Sequence, residues 1–218
     1  MKHMTTENSN FAALENLVVD NPDLEKLESL LAQFNIFEVL GAVQQEVRHS
    51  NFLSYLLNPK ETHGLGDDFV RKLLQSIVSK IDYQQLSFTG IDLDIWDLSD
   101  IQIRREWQGI DILALSEEHK LSIIIENKVG SDEHSNQLQR YYDVVNSEYP
   151  GWVIMGIYLT PEGITPSDER YFSLSYKTIV ALLENIIISR KLSLGPDVLT
   201  LINHYVRMLR RYIVSGSE

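Results

Sequence analysis

Apolar residues recur at helical spacing through the first third of the chain. Asn21 and Pro22 suit an N-cap and a first helical position, and leucines then follow three and four residues apart. This spacing predicts a helix over 21–34, a second over 39–57 and a third over 67–81. The amino-terminal part of the chain is therefore predicted to be helical.

The period changes to that of strands from about residue 87. The segments GIDILAL and KLSIIIENK flank the polar turn SEEH and predict an antiparallel hairpin. The predicted elements are, in order, strands over 101–107, 109–115 and 120–128, a helix over 132–149, strands over 151–160 and 171–174, and two C-terminal helices. The acids of 91–100 are interpreted as a solvated connection.

This order of helices and strands predicts one α/β domain over 21–218, preceded by a loosely ordered segment over 1–20. A chain of 218 residues is long enough for one sizeable core. It has no cysteine, which excludes disulfides and thiolate chemistry and suits a cytoplasmic protein. No apolar run approaches the roughly 20 residues that span a bilayer, so no membrane segment is predicted.

The net charge of −12 argues against a general electrostatic surface for nucleic acid. A polyanionic partner would need a local basic patch or bridging metal ions. The best basic patch in the sequence is a C-terminal group on HYVRMLRRYI: Arg207, Arg210 and Arg211. A solvated helix face is the more ordinary interpretation of such a group.

The predicted hairpin carries charges that buried strands normally exclude. Asp111 lies between two isoleucines, while Glu126 and Lys128 close the run of Ile123 to Ile125. Residues two apart on a strand share a face, and antiparallel pairing brings Asp111 and Glu126 to one edge of the sheet. Two carboxylates at such an edge suit a hard cation such as Mg²⁺, although a structural Asp111–Lys128 ion pair explains the same spacing equally well.

Three further features favour the metal-site interpretation. Gln137 and Tyr141 are four residues apart, on one face of the following helix. Glu46 lies in the second predicted helix, with His49 one turn later. Two glycines bracket the charged strands where backbone needs room to approach a ligand: Gly109 and Gly130.

The order Gly109-Ile-Asp111, Glu126-Asn-Lys128 and Gln137-x-x-x-Tyr141 resembles the PD-(D/E)XK nuclease superfamily, in its exonuclease-like branch. The first element is one residue shorter than the Gly-x-x-Asp of that branch. The stretch EVRHSNFLSYLLNPKETHGLGDDFVRKLL is similar to the opening of a prokaryotic family of the superfamily. The resemblance covers roughly residues 36–160.

The resemblance implies a restriction-endonuclease-like core, a central mixed β-sheet flanked by helices. It also implies Mg²⁺, with Mn²⁺ as a substitute, and hydrolysis of nucleic acid, DNA in preference to RNA. By the same resemblance, Lys128 is the catalytic base or an electrostatic element of the site. Gln137 and Tyr141 would position substrate or ligands. The implied metal ligands are Asp111, Glu126, Glu46 and the carbonyl of Asn127. Whether the chain forms a homodimer stays open.

Several alternatives remain beside this hypothesis. Glu46, His49 and His63 offer a two-histidine, one-carboxylate metal site. Alternatively, the histidines contact substrate or support the site from behind, or His49 makes a capping or core hydrogen bond. On the strand before Asp111, Arg104 or Arg105 could contact a phosphate. Trp107 could stack on a base, but a core tryptophan is commoner. At the level of function, the rivals are a catalytically silent module that binds nucleic acid or protein, and a metal-dependent hydrolase of a small phosphate compound.

Overall fold

The computed structural model describes residues 19, 21–31, 33–80, 86–131, 133 and 136–214. The chain divides into two units, Met1–Asn35 and Ile36–Glu218. In the first unit, helix α1 (Pro22–Leu31) begins after Asn21, whose side chain accepts hydrogen bonds from the amides of Asp23 and Leu24. This confirms Asn21 as the N-cap. The predicted loose segment 1–20 lies, apart from Val19, outside the described residues, and the single domain over 21–218 stays a prediction.

The second unit contains the predicted alternation of helices and strands. Its helices are α2 (Ile36–Val39), α3 (Glu46–Leu57), α4 (Asp68–Val78), α5 (Gly90–Ile95), α6 (Gln137–Glu148), α7 (Tyr176–Arg190) and α8 (Pro196–Tyr212). Its strands are β1 (Gln102–Trp107), β2 (Ile110–Ser116), β3 (Leu121–Asn127), β4 (Val153–Thr160) and β5 (Tyr171–Ser175). None of the helices in the described part of the chain is long and apolar enough to cross a bilayer.

The five strands form one mixed sheet in the order β1-β2-β3-β4-β5. Strands β1, β2 and β3 are antiparallel neighbours, whereas β3, β4 and β5 run parallel. Within the β2–β3 hairpin Ile112 pairs with Ile125, which confirms the predicted hairpin. Every residue of β3 is buried, because helices cover both faces of the sheet at its centre.

Each face of the sheet has its own apolar core. The larger core packs one face against helices α3, α4, α7 and α8, with residues such as Phe52, Leu74 and Tyr205. The smaller core packs the other face against α6, through Leu138, Tyr141 and Val145. This arrangement confirms the predicted α/β class and the mixed sheet flanked by helices.

Two local predictions are wrong. The helix predicted over 39–57 is divided, since the backbone turns at Gly41, whose φ of 65° is left-handed, and α3 starts only at Glu46. The acidic stretch interpreted as a solvated connection contains α5. That helix begins with a reciprocal cap, in which the side chains of Thr89 and Asp92 each accept from the backbone amide of the other.

Candidate active site

Asp111 and Glu126 occupy opposed positions at one end of the β2–β3 hairpin. They follow directly from the Ile112–Ile125 pair, so their side chains project from the same face of the sheet, towards α6. Strand pairing thus brings together two carboxylates that are fifteen residues apart in sequence, as the spacing predicts.

Glu126 is almost completely buried, at 1% exposure. Its Oε1 accepts hydrogen bonds from Gln137 Nε2 and from Lys128 Nζ, both at 2.8 Å. Its Oε2 is buried and has no hydrogen-bond partner among the described residues. A buried carboxylate oxygen without a partner is costly, so this atom marks a position where a ligand would be stabilised.

Asp111 is half-buried beside Glu126, and its Oδ2 accepts a hydrogen bond of 2.8 Å from the Asn127 amide. Burial, and then the negative charge of Glu106, raise the pKa of Asp111 to about 6 against the opposing effect of that hydrogen bond. Burial and the charge of Asp111 raise the pKa of Glu126 to about 7. Each acid therefore makes ionisation of the other less favourable.

Lys128 supplies positive charge at the same edge. Burial lowers the pKa of its ammonium, but the hydrogen bond and charge of Glu126 outweigh this effect and raise the pKa above its usual value. Lys128 is therefore protonated at neutral pH, which suits the electrostatic role and not that of a base.

Glu46, the first residue of α3, lies beside these charged side chains, and one of its carboxylate oxygens already accepts several hydrogen bonds. Its Oε1 accepts from the amides of Val129, Gly130 and Ser131 and from the Ser131 hydroxyl, at 2.8–3.3 Å. Burial would raise the pKa of Glu46, but the hydrogen bonds from Val129 and Ser131 hold it below its usual value. A ligand role for Glu46 would thus depend on its other oxygen, Oε2.

Gln137 and Tyr141 lie against Glu126, on the buried face of α6. The Gln137 side-chain amide donates to Glu126 Oε1 and to the Tyr141 hydroxyl, the latter at 2.9 Å. Gly109 explains how the tyrosine fits: a Cβ at this position would lie 3.3 Å from Tyr141 Oη, and the φ of Gly109 is 84°. The lack of a side chain at Gly109 therefore leaves room for the Tyr141 ring.

Asn127 points to the opposite face and joins the site to the larger core. Its side-chain amide donates to the Glu46 carbonyl and to Ser50 Oγ, while its Oδ1 accepts from the Tyr176 hydroxyl at 2.7 Å. Since the amide and carbonyl of an extended residue share one side of its strand, the Asn127 carbonyl lies on the Asp111 side.

His49 extends this buried network. The hydroxyl of Tyr176 contacts that of Tyr205, and Tyr205 lies 3.0 Å from His49 Nδ1. Nε2 of His49 lies 3.0 Å from the Val43 carbonyl, which can only accept, so Nε2 carries the proton and Nδ1 accepts from Tyr205. Burial lowers the pKa of His49 and keeps the ring neutral. His49 therefore makes the predicted core hydrogen bond.

The alternative two-histidine metal site is wrong. Both ring nitrogens of His49 are occupied, as are those of His63, which contact the Asn58 carbonyl and the Leu65 amide. Both rings are also buried, at 1% exposure, which excludes contact with a substrate.

Of the two arginines predicted as a possible phosphate contact, Arg105 is exposed and Arg104 is engaged elsewhere. Arg104 donates to the Tyr149 hydroxyl and lies over Trp107, which packs on the smaller core as the ordinary interpretation expects. The C-terminal basic patch is largely neutralised, because Arg210 pairs with Glu184 and Arg211 with Glu38. These acids come from distant segments, so the sequence did not reveal the pairing.

Sequence reasoning missed several residues of the site. Glu106 is opposed to Asp111 across β1 and β2 and acts on its pKa, yet strand alternation alone shows it only as a neighbour of two arginines. Ser131, Tyr176 and Tyr205 carry no motif. Only tertiary packing brings them to Glu46 and Asn127.

Asp111 and Glu126 fit a divalent cation. Oε2 of Glu126, which lacks a partner among the described residues, the Asp111 carboxylate and the Asn127 carbonyl together form an oxygen donor set of the kind that Mg²⁺ prefers. In the described ranges no three acidic or histidine side chains gather closely enough to form a complete metal-binding group. Water or substrate oxygens would therefore complete the coordination.

Comparisons with known proteins agree with this geometry. A family model described as the PD-(D/E)XK nuclease superfamily matches residues 34–207, a range that contains every strand and the whole of the site. No curated protein and no solved structure matches the chain. Because the family model covers most of the sequence, the chain belongs to the PD-(D/E)XK nuclease superfamily.

Proposed function

We propose that this protein is a nuclease that hydrolyses phosphodiester bonds of nucleic acid, DNA in preference to RNA, with Mg²⁺ as its cation. Membership of the superfamily suggests phosphodiester hydrolysis, and its nucleases typically use divalent metals. The observation that carries the proposal is Oε2 of Glu126, which is buried beside Asp111 and has no hydrogen-bond partner in the part of the chain that the structure describes. An arrangement that only stabilised the fold would pair this oxygen.

In the proposed mechanism Asp111, Glu126 and the Asn127 carbonyl hold the cation. When bound, a divalent cation lowers the pKa of a coordinated water and neutralises charge on the phosphodiester. Lys128, held as an ammonium by Glu126, stabilises the negative charge that develops on the phosphate oxygens.

The remaining residues position these groups. Gln137 fixes the orientation of Glu126 Oε1, and Tyr141 holds Gln137 in turn. Glu46 closes the loop 129–131 against α3 through Oε1, and its Oε2 is proposed to face the cation. Ordered side chains reduce the reorganisation that the reaction requires.

The test is cleavage of labelled single- and double-stranded DNA and RNA in Mg²⁺ or Mn²⁺. We expect Asp111→Asn and Lys128→Ala to lower turnover by about 10²–10³, the loss typical of removing a group that stabilises transition-state charge. The matched controls Asp197→Asn and Lys60→Ala change exposed residues of the same types and should retain activity.

Equal turnover by the site variants and the controls would overturn the proposal, as would no turnover of any nucleic acid. Release of phosphate from a nucleotide, without cleavage of polymers, would instead favour a hydrolase of small phosphate compounds.

A further inference from the structure

A pocket of about 280 Å³ adjoins Lys128 at the carboxyl ends of β3 and β4. We name it the β4 pocket. Its walls include the loop 129–131 and the side chains of Lys128, Tyr158, Thr160, Pro161, Glu162 and Ile164. A wider depression of about 430 Å³ lies on the outer surface of α6, but no residue of the candidate active site lines it. Of these two depressions, both lined by described residues, the β4 pocket is the one that shares a residue with the site.

The outer wall of the β4 pocket is fixed in place by the fold. Thr160 Oγ1 accepts hydrogen bonds of 2.9 Å from the amides of Gly163 and Ile164, which closes the turn after β4. Ile164 is 53% exposed, although it is a large apolar residue. A pinned turn that presents an exposed isoleucine to a cleft offers apolar surface to a ligand.

The chemistry of the walls suits a nucleoside. Pro161 and Ile164 provide apolar contact for a planar ring. Lys128, whose ammonium pairs with Glu126 Oε1, also lines the pocket and provides a positive charge for a phosphate. Glu162 provides an exposed carboxylate that repels a second phosphate and accepts hydrogen bonds from ring amines. The volume lies just below the range of about 300–1,000 Å³ for drug-sized ligands, so it accommodates one nucleoside.

The charge distribution argues against a bound duplex. Five arginines form ion pairs with acidic side chains: Arg71, Arg170, Arg190, Arg210 and Arg211. With a net charge of −12, the protein has little attraction for an extended phosphate backbone, so affinity must come from contacts close to the site. A base that enters a pocket must also be unpaired and unstacked.

We propose that the β4 pocket binds the unpaired base of the nucleotide whose phosphate lies at Lys128, which makes single-stranded nucleic acid the substrate class. This inference rests on the proposed function for the position of the phosphate. Its own prediction concerns binding, so it can be tested without turnover.

The test is fluorescence anisotropy with a short labelled DNA single strand, a hairpin duplex of the same sequence, and a strand of abasic nucleotides. Ca²⁺ replaces Mg²⁺ in these titrations. We expect wild type to bind the single strand at least about fivefold more tightly than the other two probes, since contact with one base contributes about 1–3 kcal/mol. Ile164→Asn should remove most of this preference.

The matched control is Ile95→Asn, the same change at an exposed isoleucine of α5 that is 77% exposed. It should bind like wild type, and thermal melts should show that both variants are folded. Equal affinity for the single strand and the duplex, no binding of the single strand, or identical behaviour of the two variants would overturn the β4 pocket assignment. Intact preference for the single strand without cleavage in Mg²⁺ would overturn the proposed function alone.

Discussion

The two glutamates near Lys128, Glu46 and Glu126, differ in the hydrogen bonds that their carboxylates accept and in the direction of their pKa shifts. Glu46 Oε1 accepts four hydrogen bonds from the loop 129–131, and these hold the pKa of Glu46 low. Glu126 is more deeply buried, leaves Oε2 without a partner in the described part of the chain, and has a pKa raised to about 7. The carboxylate of Glu46 stabilises the loop 129–131, whereas burial of the Glu126 carboxylate carries an energetic cost.

The physical cause of the difference is the supply of donors. Backbone amides solvate a carboxylate nearly as well as water does, so burial of Glu46 costs little. Glu126 instead faces a second carboxylate, Asp111, and among the described residues only its Oε1 receives donors. Unfavourable arrangements of this kind are typical of functional sites, which supports the proposed role of Glu126.

The sharpest way to test this difference is to neutralise each glutamate without changing its shape. We expect Glu126→Gln to lower nucleic-acid cleavage by about 10² or more, because it removes a charged ligand from the proposed cation site. Glu46→Gln should lower cleavage by less than about tenfold, since a side-chain amide oxygen still accepts from the loop amides and only the proposed contact of Oε2 with the cation is lost. Initial rates at saturating Mg²⁺ measure both. Equal losses of cleavage rate in the two variants would show that the two glutamates do not differ in their contribution to activity.

Removal of the Glu46 carboxylate tests its structural role. Glu46→Ala leaves the amides of Val129 and Ser131 without their acceptor, so we expect the free energy of unfolding to fall by about 2–3 kcal/mol. Urea denaturation measures this loss, and Glu46→Gln should recover most of it. An alanine variant as stable as wild type would mean that the loop does not depend on Glu46.

Removal of a charge from the acidic pair Asp111–Glu126 should instead raise the free energy of unfolding of the metal-free protein. In metal-free wild type, the raised pKa values of Asp111 and Glu126 mean that stability present below pH 4 is lost as the pH rises through 6 and 7. We expect Asp111→Asn to be more stable than wild type by about 2 kcal/mol at pH 8, with no gain at pH 4.

Urea titrations in EDTA at both pH values give this difference, and saturating Mg²⁺ should reverse its sign at pH 8 because only wild type binds the cation well. Asp197→Asn serves as the control at an exposed position. A variant less stable than wild type at pH 8 without metal would contradict the mutual destabilisation of the pair.

The smallest expected effect belongs to the network behind Asn127. Tyr176→Phe removes the hydroxyl that donates to Asn127 Oδ1, and we expect a loss of about 1 kcal/mol in the free energy of unfolding. Mg²⁺ affinity should fall by a few fold, because the strand end that carries the proposed carbonyl ligand is less firmly held. Calorimetry with Tyr212→Phe, at an exposed tyrosine, provides the control. An unchanged Mg²⁺ affinity would show that the hydrogen bond between Tyr176 and Asn127 does not affect the proposed metal site.

The sequence predicted the pair Asp111–Glu126 because strand geometry is local. A hairpin with a short polar turn fixes which residues face each other, and alternation fixes which share a face. The spacing of Gln137 and Tyr141 likewise follows from one helical repeat. For these residues, period and register were enough to place the side chains.

The environment of Glu46 could not be predicted in the same way. Its donors belong to a loop that follows β3 more than 80 residues later, and helix periodicity says nothing about such a contact. The chain reversal at Gly41 and the short helix α5 were missed for a related reason, since a turn and a cap interrupt the apolar period. The partners of Arg210 and Arg211 likewise depend on tertiary packing.

The most direct test of the central claim is calorimetric titration of the metal-free protein with Mg²⁺ near pH 6.5, in buffers of different ionisation enthalpy. Because Asp111 and Glu126 have pKa values of about 6 and 7, binding should release protons, and the measured heat should therefore depend on the buffer. Asp111→Asn should lose most of the affinity, and Asp197→Asn should keep it. Binding of Mg²⁺ that is unchanged in Asp111→Asn, or no binding by wild type, would contradict the assignment of this acidic pair as the metal site.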